Sequence, residues 1–132
     1  MLLVLWAGSL WSLSWVTSVL FYAQDDRHLA GLLAGQLFSI EAYVGVAVAA
    51  LAFLLTKVPG RTEPLPRPFV GGYVAAALLA ANEWALRPVM AMARARGTMA
   101  GLSFGAWHGV STVIYGLACI AVLRLIWKDD FR

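Results

Sequence analysis

The stretch Met1–Gln24, MLLVLWAGSLWSLSWVTSVLFYAQ, carries no charged side chain, and it is longer than the roughly 20 apolar residues that cross a bilayer as a helix. No basic residue precedes the apolar run, and Phe21-Tyr22-Ala23 lacks the small-x-small pattern of a cleavage site, so the run reads as a span and not as a signal peptide. Outward from it, the polar turn Asp25-Asp26-Arg27-His28 leads into a second apolar stretch over about 32–56, broken only by Glu41. Lys57–Pro68 is a linker in which Pro59, Gly60, Pro64, Pro66 and Pro68 block a helix. A third stretch over about 69–92 contains Asn82, Glu83, Arg87 and Pro88. Arg94, Arg96 and Gly97 make the next turn, and a fourth stretch covers about 101–127. With the first span at about 2–23, the expected architecture is a single all-α domain: an integral membrane four-helix bundle with little chain left for anything outside the bilayer.

Composition agrees. Of 132 residues, 61% are hydrophobic and 13% charged, against about 45–50% and about a quarter in soluble domains. The core of so short a chain cannot hide that much apolar surface, which excludes an ordinary soluble enzyme. Disordered chains are poor in these residues and rich in charge. One cysteine forms no internal disulfide, so a disulfide-stapled scaffold is excluded too. Four spans put both termini and the Pro-rich linker on one side, with Lys57, Arg61, Arg67, Arg124, Lys128 and Arg132; the other side has Arg27, Arg94 and Arg96. The excess of positive charge places both termini in the cytoplasm, and the expected location is a bacterial inner membrane. This topology accounts for the net charge of +3 and calls for no nucleic-acid partner.

Leu29-Ala30-Gly31-Leu32-x-x-Gly35 recurs as Met99-Ala100-Gly101-Leu102-x-x-Gly105, seventy positions on, and the same register aligns Val19 with Val89 and Ala23 with Ala93. From Val16 to Gly35 this makes six identities in twenty, which fits two repeated helical hairpins or two similar helix entries in Ala/Leu-rich sequence. Gly101, Gly105 and Gly109 form a ridge at i, i+4, i+8, which permits close approach of a neighbouring helix. Packing within the bundle is the preferred use of that ridge over an oligomer contact.

The polar residues inside the spans carry the most information, because ionisable groups at membrane depth are costly and face the bundle interior, a partner or a water-filled cavity. Glu41 lies nine residues into the second span, about 13 Å deep at 1.5 Å per residue. Glu83 lies nine residues before Met92 in a helix returning to the same side, and His108 and Ser111 bracket that depth on the fourth. Glu41, Asn82, Glu83, Arg87, His108 and Ser111 are therefore expected in one layer nearer the face opposite the termini. Glu83 and Arg87 are spaced to pair along one helix face, and Arg87 can fork to Glu41 as well. Pro88 removes a backbone donor and should loosen the helix at Asn82 and Glu83. His108 shares the glycine face and is expected to point at a neighbouring helix. The layer reads equally as a structural ion-pair network or as a site for an ion, proton or small polar solute.

Other chemistry is thinner. Glu41, Glu83 and His108 are the candidate metal ligands, without a tight ligand motif. Met90, Met92 and Met99 could add soft sulfur ligands, although apolar packing explains them better. Haem would need His108 as an axial ligand, since His28 sits in a turn. No cofactor is predicted; metal and haem remain open alternatives. No nucleophile–base pair or phosphate loop is present, so no enzymatic activity is expected.

The run Leu5-Trp6-Ala7-Gly8-Ser9-Leu10-Trp11, followed by Val19-Leu20-Phe21, Ala30-Gly31-x-x-x-Gly35-x-x-Phe38 and Glu41, resembles the transmembrane protein 205-like family, also called domain of unknown function 4149. Trp107-His108-Gly109-Val110-Ser111 is similar to that family's second block. The resemblance implies a four-helix membrane protein and no agreed activity. Ser18 departs from it, standing where a proline is expected, so the first helix should run straighter. The leading expectation is a non-enzymatic carrier or binding protein for a small solute or metal ion. The rivals are an accessory subunit of a larger membrane complex, with a membrane protein partner or a homo-oligomer, and a haem-binding membrane protein.

Overall fold

A computed structural model describes residues 2–57 and 69–130. The Pro-rich segment 58–68, with Arg61 and Arg67, lies outside the described residues, as does Arg132. The chain forms α1 (Leu2–Ala23), α2 (Arg27–Leu55), α3 (Val70–Ala81), a π-helical turn (Asn82–Leu86), α4 (Arg87–Arg96), a pair of two-residue antiparallel strands, β1 (Thr98–Met99) and β2 (Leu102–Ser103), and α5 (Phe104–Asp130). α3, the π turn and α4 follow without a break in helical backbone and make one rod. The result is an all-α bundle of four rods in which α1 packs on α2, α2 on α3, α3 on α5 and α5 back on α1. α1, α2 and α5 contain segments long and apolar enough to cross a membrane. The shared core is made by Trp6, Leu10, Ala42, Leu79, Tyr115 and Val122, among others.

Local chemistry sets the rod ends. Asp26 caps α2, its Oδ1 accepting from the backbone N–H of His28 at 2.8 Å and of Leu29 at 3.2 Å. α2 therefore starts at Arg27, before its apolar stretch, and Glu41 is its middle residue. α1 is unbroken through Ser18, whose hydroxyl donates to the Ser14 carbonyl at 2.9 Å.

In the third rod, Pro88 has no N–H for the Trp84 carbonyl, and its ring would crowd that carbonyl in an α-helix. The backbone widens, and the Arg87 N–H bonds to Asn82 O instead. The loosening expected at Asn82 and Glu83 is thus a π turn, a feature frequent at functional sites.

Between α4 and α5 the chain departs from the simple turn expected of it. Gly97 ends α4 at φ 84°, and Ala100 (φ 50°) and Gly101 (φ 77°) form the two-residue turn of a small hairpin. The Trp107 indole N–H ties it down by donating to Met99 O at 3.0 Å. The fourth rod accordingly starts at Phe104, not near 101. The hairpin also separates the two similar strings: Leu29–Gly35 is helical with Ala30 fully buried, whereas Met99–Ser103 turns and exposes Ala100. The seventy-residue correspondence does not extend to the backbone there.

The glycine ridge also does not serve the packing expected of it. A Cβ at Gly109 would meet nothing within 4 Å, one at Gly105 would meet only Ser103 Oγ at 3.9 Å, and Gly101 is in the turn. Tyr115, Ala118, Cys119, Val122 and Leu125 form the buried face of α5, which leaves the ridge outside. Close approach occurs elsewhere. A Cβ on Gly45 would lie 3.0 Å from Leu79 Cδ1 and 3.2 Å from Trp6 Cζ2, and one on Gly71 would lie 3.0 Å from Ala121 O.

Candidate functional site

Polar side chains inside the helices pair across three different seams. Between α1 and α2, Ser9 and Glu41 each stand fourteen residues from the helix end at their connecting turn, so an antiparallel hairpin brings them level. The Ser9 hydroxyl lies 3.0 Å from Glu41 Oε1 and 2.7 Å from Trp6 O. Its single proton serves one of the two at a time. Glu41 is 7% exposed, and among the described residues no cation pairs with it. The Trp6 indole lies over Gly45, one turn along α2 from Glu41, and its buried N–H has no hydrogen-bond partner. Tyr115 of α5 closes the layer from the other side, its hydroxyl donating to Leu10 O at 2.6 Å and its ring packed edge-on against Phe38 at 4.9 Å.

Between α2 and the third rod, Arg87 donates to both Glu83 Oε1 and Ser39 Oγ, and the Ser39 hydroxyl is 2.8 Å from Glu83 Oε1. Arg87 Nη2 lies 3.7 Å from where a Gly35 Cβ would stand, so the guanidinium rests across a position with no side chain. Glu83 is 13% exposed and Arg87 45%; the pair opens toward the outside of the bundle. Between the third rod and α5, Ser111 Oγ donates to Asn82 Oδ1 at 2.7 Å, and Asn82 Nδ2 donates back to Ser111 O at 3.4 Å.

The single layer expected from depth therefore separates into a lone acid, an ion pair and an amide–hydroxyl pair. Arg87 forks to Ser39 and not to Glu41 because these two residues are two apart on α2, about 200° round the helix. His108 is exposed on α5 and does not face a neighbouring helix. Its ring stacks on Phe104 at 5.9 Å, and Arg94 covers the same Phe104 at 4.2 Å. Among the described residues no three His, Cys, Asp or Glu side chains are grouped to hold a metal ion; Glu41, Glu83 and His108 lie apart, which leaves the candidate metal set unassembled. Ser9, Ser39, Trp6 and Tyr115 take part without having been expected in the layer. Ser9 and Ser39 are polar residues within spans, which is a signal, but serine satisfies its own helix carbonyls so readily that only the facing residue identifies its role.

With this geometry in view, the chain matches, over residues 1–99, the model of a family described as domain of unknown function (DUF4149). The chain belongs to that family. The matched region includes Ser9, Ser39, Glu41, Asn82, Glu83 and Arg87; His108 and Ser111 lie beyond it. No curated protein and no solved structure matches the chain.

Proposed function

Starting from membership of this family, we propose that the protein is a non-enzymatic membrane carrier or binding protein for a small polar solute or cation, and that Glu41 is the group that engages it. The observation behind this reading is the contrast between its two intramembrane acids. Glu83 is neutralised by Arg87, whereas Glu41 is buried at the middle of α2 and, among the described residues, has neutral groups and no cation beside it, with Ser9 hydrogen-bonded to it. An intramembrane acid not consumed by an ion pair marks an ion or solute path. Glu41 supplies the acceptor, Ser9 a hydroxyl and Trp6 an N–H without a partner. Glu83, Arg87 and Ser39, with Asn82 and Ser111, hold the rods in register around it. The proposed setting is a bacterial inner membrane with both termini cytoplasmic and no nucleic-acid partner. The finer grouping with transmembrane protein 205-like proteins is also a proposal, supported by Trp107-His108-Gly109-Val110-Ser111 beyond the matched region.

The test is flux into proteoliposomes loaded with a pH-sensitive dye, driven by gradients of alkali, ammonium and small organic cations. Wild-type protein should move one class, and Glu41→Gln should abolish that flux while leaving the protein folded. Equal flux through Glu41→Gln, or none through wild type across the panel, overturns the reading.

A second reading, an accessory subunit of a larger membrane complex, draws on the outer face of α5, where His108 is exposed and Gly105 and Gly109 are uncovered. Purification in mild detergent should then bring down a stoichiometric membrane partner; a clean monomer overturns it.

A further inference from the structure

The outer surface between α2 and α3 carries an open groove of about 350 Å³, bordered by Val46, Ala50 and Phe53 of α2 and by Tyr73, Ala77 and Ala80 of α3. Alanines at its floor and walls keep it open, because a methyl side chain leaves the space that a leucine would fill. The groove has a direction. Phe53 and Tyr73 lie near the ends of their helices, at the C-terminus of α2 and the N-terminus of α3. One turn beyond Phe53, the Lys57 ammonium stands 5.4 Å over its ring. Val46 and Ala80 mark the other end, which lies toward the level of Glu41 and Glu83. A cation therefore stands at the end of the groove nearest the helix termini, and walls of mainly apolar side chains lead from it toward the middle of the two helices.

That sequence of chemistry, charge at the helix ends and hydrocarbon inward, is the layout of a phospholipid in its own leaflet. We infer that the groove is a binding site for an anionic phospholipid, with its phosphate at Lys57 and one acyl chain along the alanine floor. Lys57 gives the preference for a net negative headgroup, since a zwitterionic lipid presents its own ammonium beside the phosphate. Tyr73, whose hydroxyl makes no hydrogen bond among the described residues, provides a further donor at the mouth. The inference is independent of Glu41 and stands or falls without the transport reading.

The test is native mass spectrometry of the full chain, purified in mild detergent with equimolar phosphatidylglycerol and phosphatidylcholine of the same acyl length. One lysine near an anionic headgroup should favour the retained phosphatidylglycerol by about fivefold. Lys57→Gln, at an exposed helix end, should reduce that preference to near unity while keeping some lipid of both kinds. Ala77→Trp, which fills the groove, should remove both lipids. Ala50→Leu is the milder variant that should halve retention if Ala77→Trp does not fold. Equal retention of the two lipids by wild type, an unchanged preference in Lys57→Gln, or full retention in the filled groove overturns the inference. So does displacement of the lipid by inorganic phosphate, which would identify a site for free anions, or a groove sealed by a second copy in a lipid-free dimer.

Discussion

Glu41 and Glu83 stand at similar distances along their rods from the turns that join them, and they are held in opposite ways. Glu83 has its cation one turn along the same rod, and the hydroxyl of Ser39 bridges the two. Glu41 has no cation within reach along α2, whose charged residues other than Glu41 itself reduce to Arg27 at its first position. What it has is Ser9 from the neighbouring helix and an indole laid over Gly45. One acid belongs to an assembled structural unit, and the other is kept uncommitted. In a membrane, where an unpaired polar group has no water to fall back on, that difference is what supports the proposed roles of Glu83 as scaffold and Glu41 as site.

The contrast is broken most sharply at Arg87. Arg87→Met leaves the Glu83 carboxyl with Ser39 alone and should cost about 2–3 kcal/mol, less than the loss of a fully buried partner because the guanidinium is half exposed. Thermal unfolding in detergent measures it, and combining the change with Glu83→Gln should recover more than half of the loss through the non-additivity of contacting residues. Costs that simply add would show that Glu83 and Arg87 do not act as a unit.

Gly45→Ala comes next. Its methyl would press on Leu79 and Trp6 at 3.0 and 3.2 Å and should cost about 1–2 kcal/mol through overpacking; a neutral result would mean that Trp6 is free to move off Gly45. Ser39→Ala, which removes the hydroxyl between Arg87 and Glu83, should cost about 1 kcal/mol, seen as a small fall in the unfolding midpoint. The smallest stability effect belongs to Glu41→Gln. The amide keeps an oxygen for the Ser9 hydroxyl, so the change should stay under about 0.5 kcal/mol even as flux disappears. If Glu41→Gln unfolds the protein more readily than Arg87→Met does, the assignment of scaffold and site is reversed.

Features governed by a few neighbouring residues are legible in the sequence. The span of α1, the ion pair of Glu83 with Arg87 at i, i+4 and the loosening before Pro88 are all of this kind. Features needing the orientation of one element against another are not. The ridge Gly105–Gly109 has the spacing of a packing seam, yet the large buried residues of α5 turn it outward. Ala100-Gly101 repeats Ala30-Gly31 letter for letter, and one pair makes a hairpin turn while the other continues a helix capped by Asp26. Similar depth grouped six polar residues, but depth alone does not say which way a side chain points, and two residues of offset separated Ser39 from Glu41.

By itself the sequence determined the number of rods, their apolar character, the break in the third and the scarcity of charge within them, since hydrophobic length and a missing proline N–H act without reference to the rest of the chain. Tertiary structure alone decided which polar groups meet. Rotation and register between rods are set by the packing of Trp6 over Gly45 and of α5 against α3. It is that packing which gave Glu83 its bridge and, among the described residues, left Glu41 without a counter-ion.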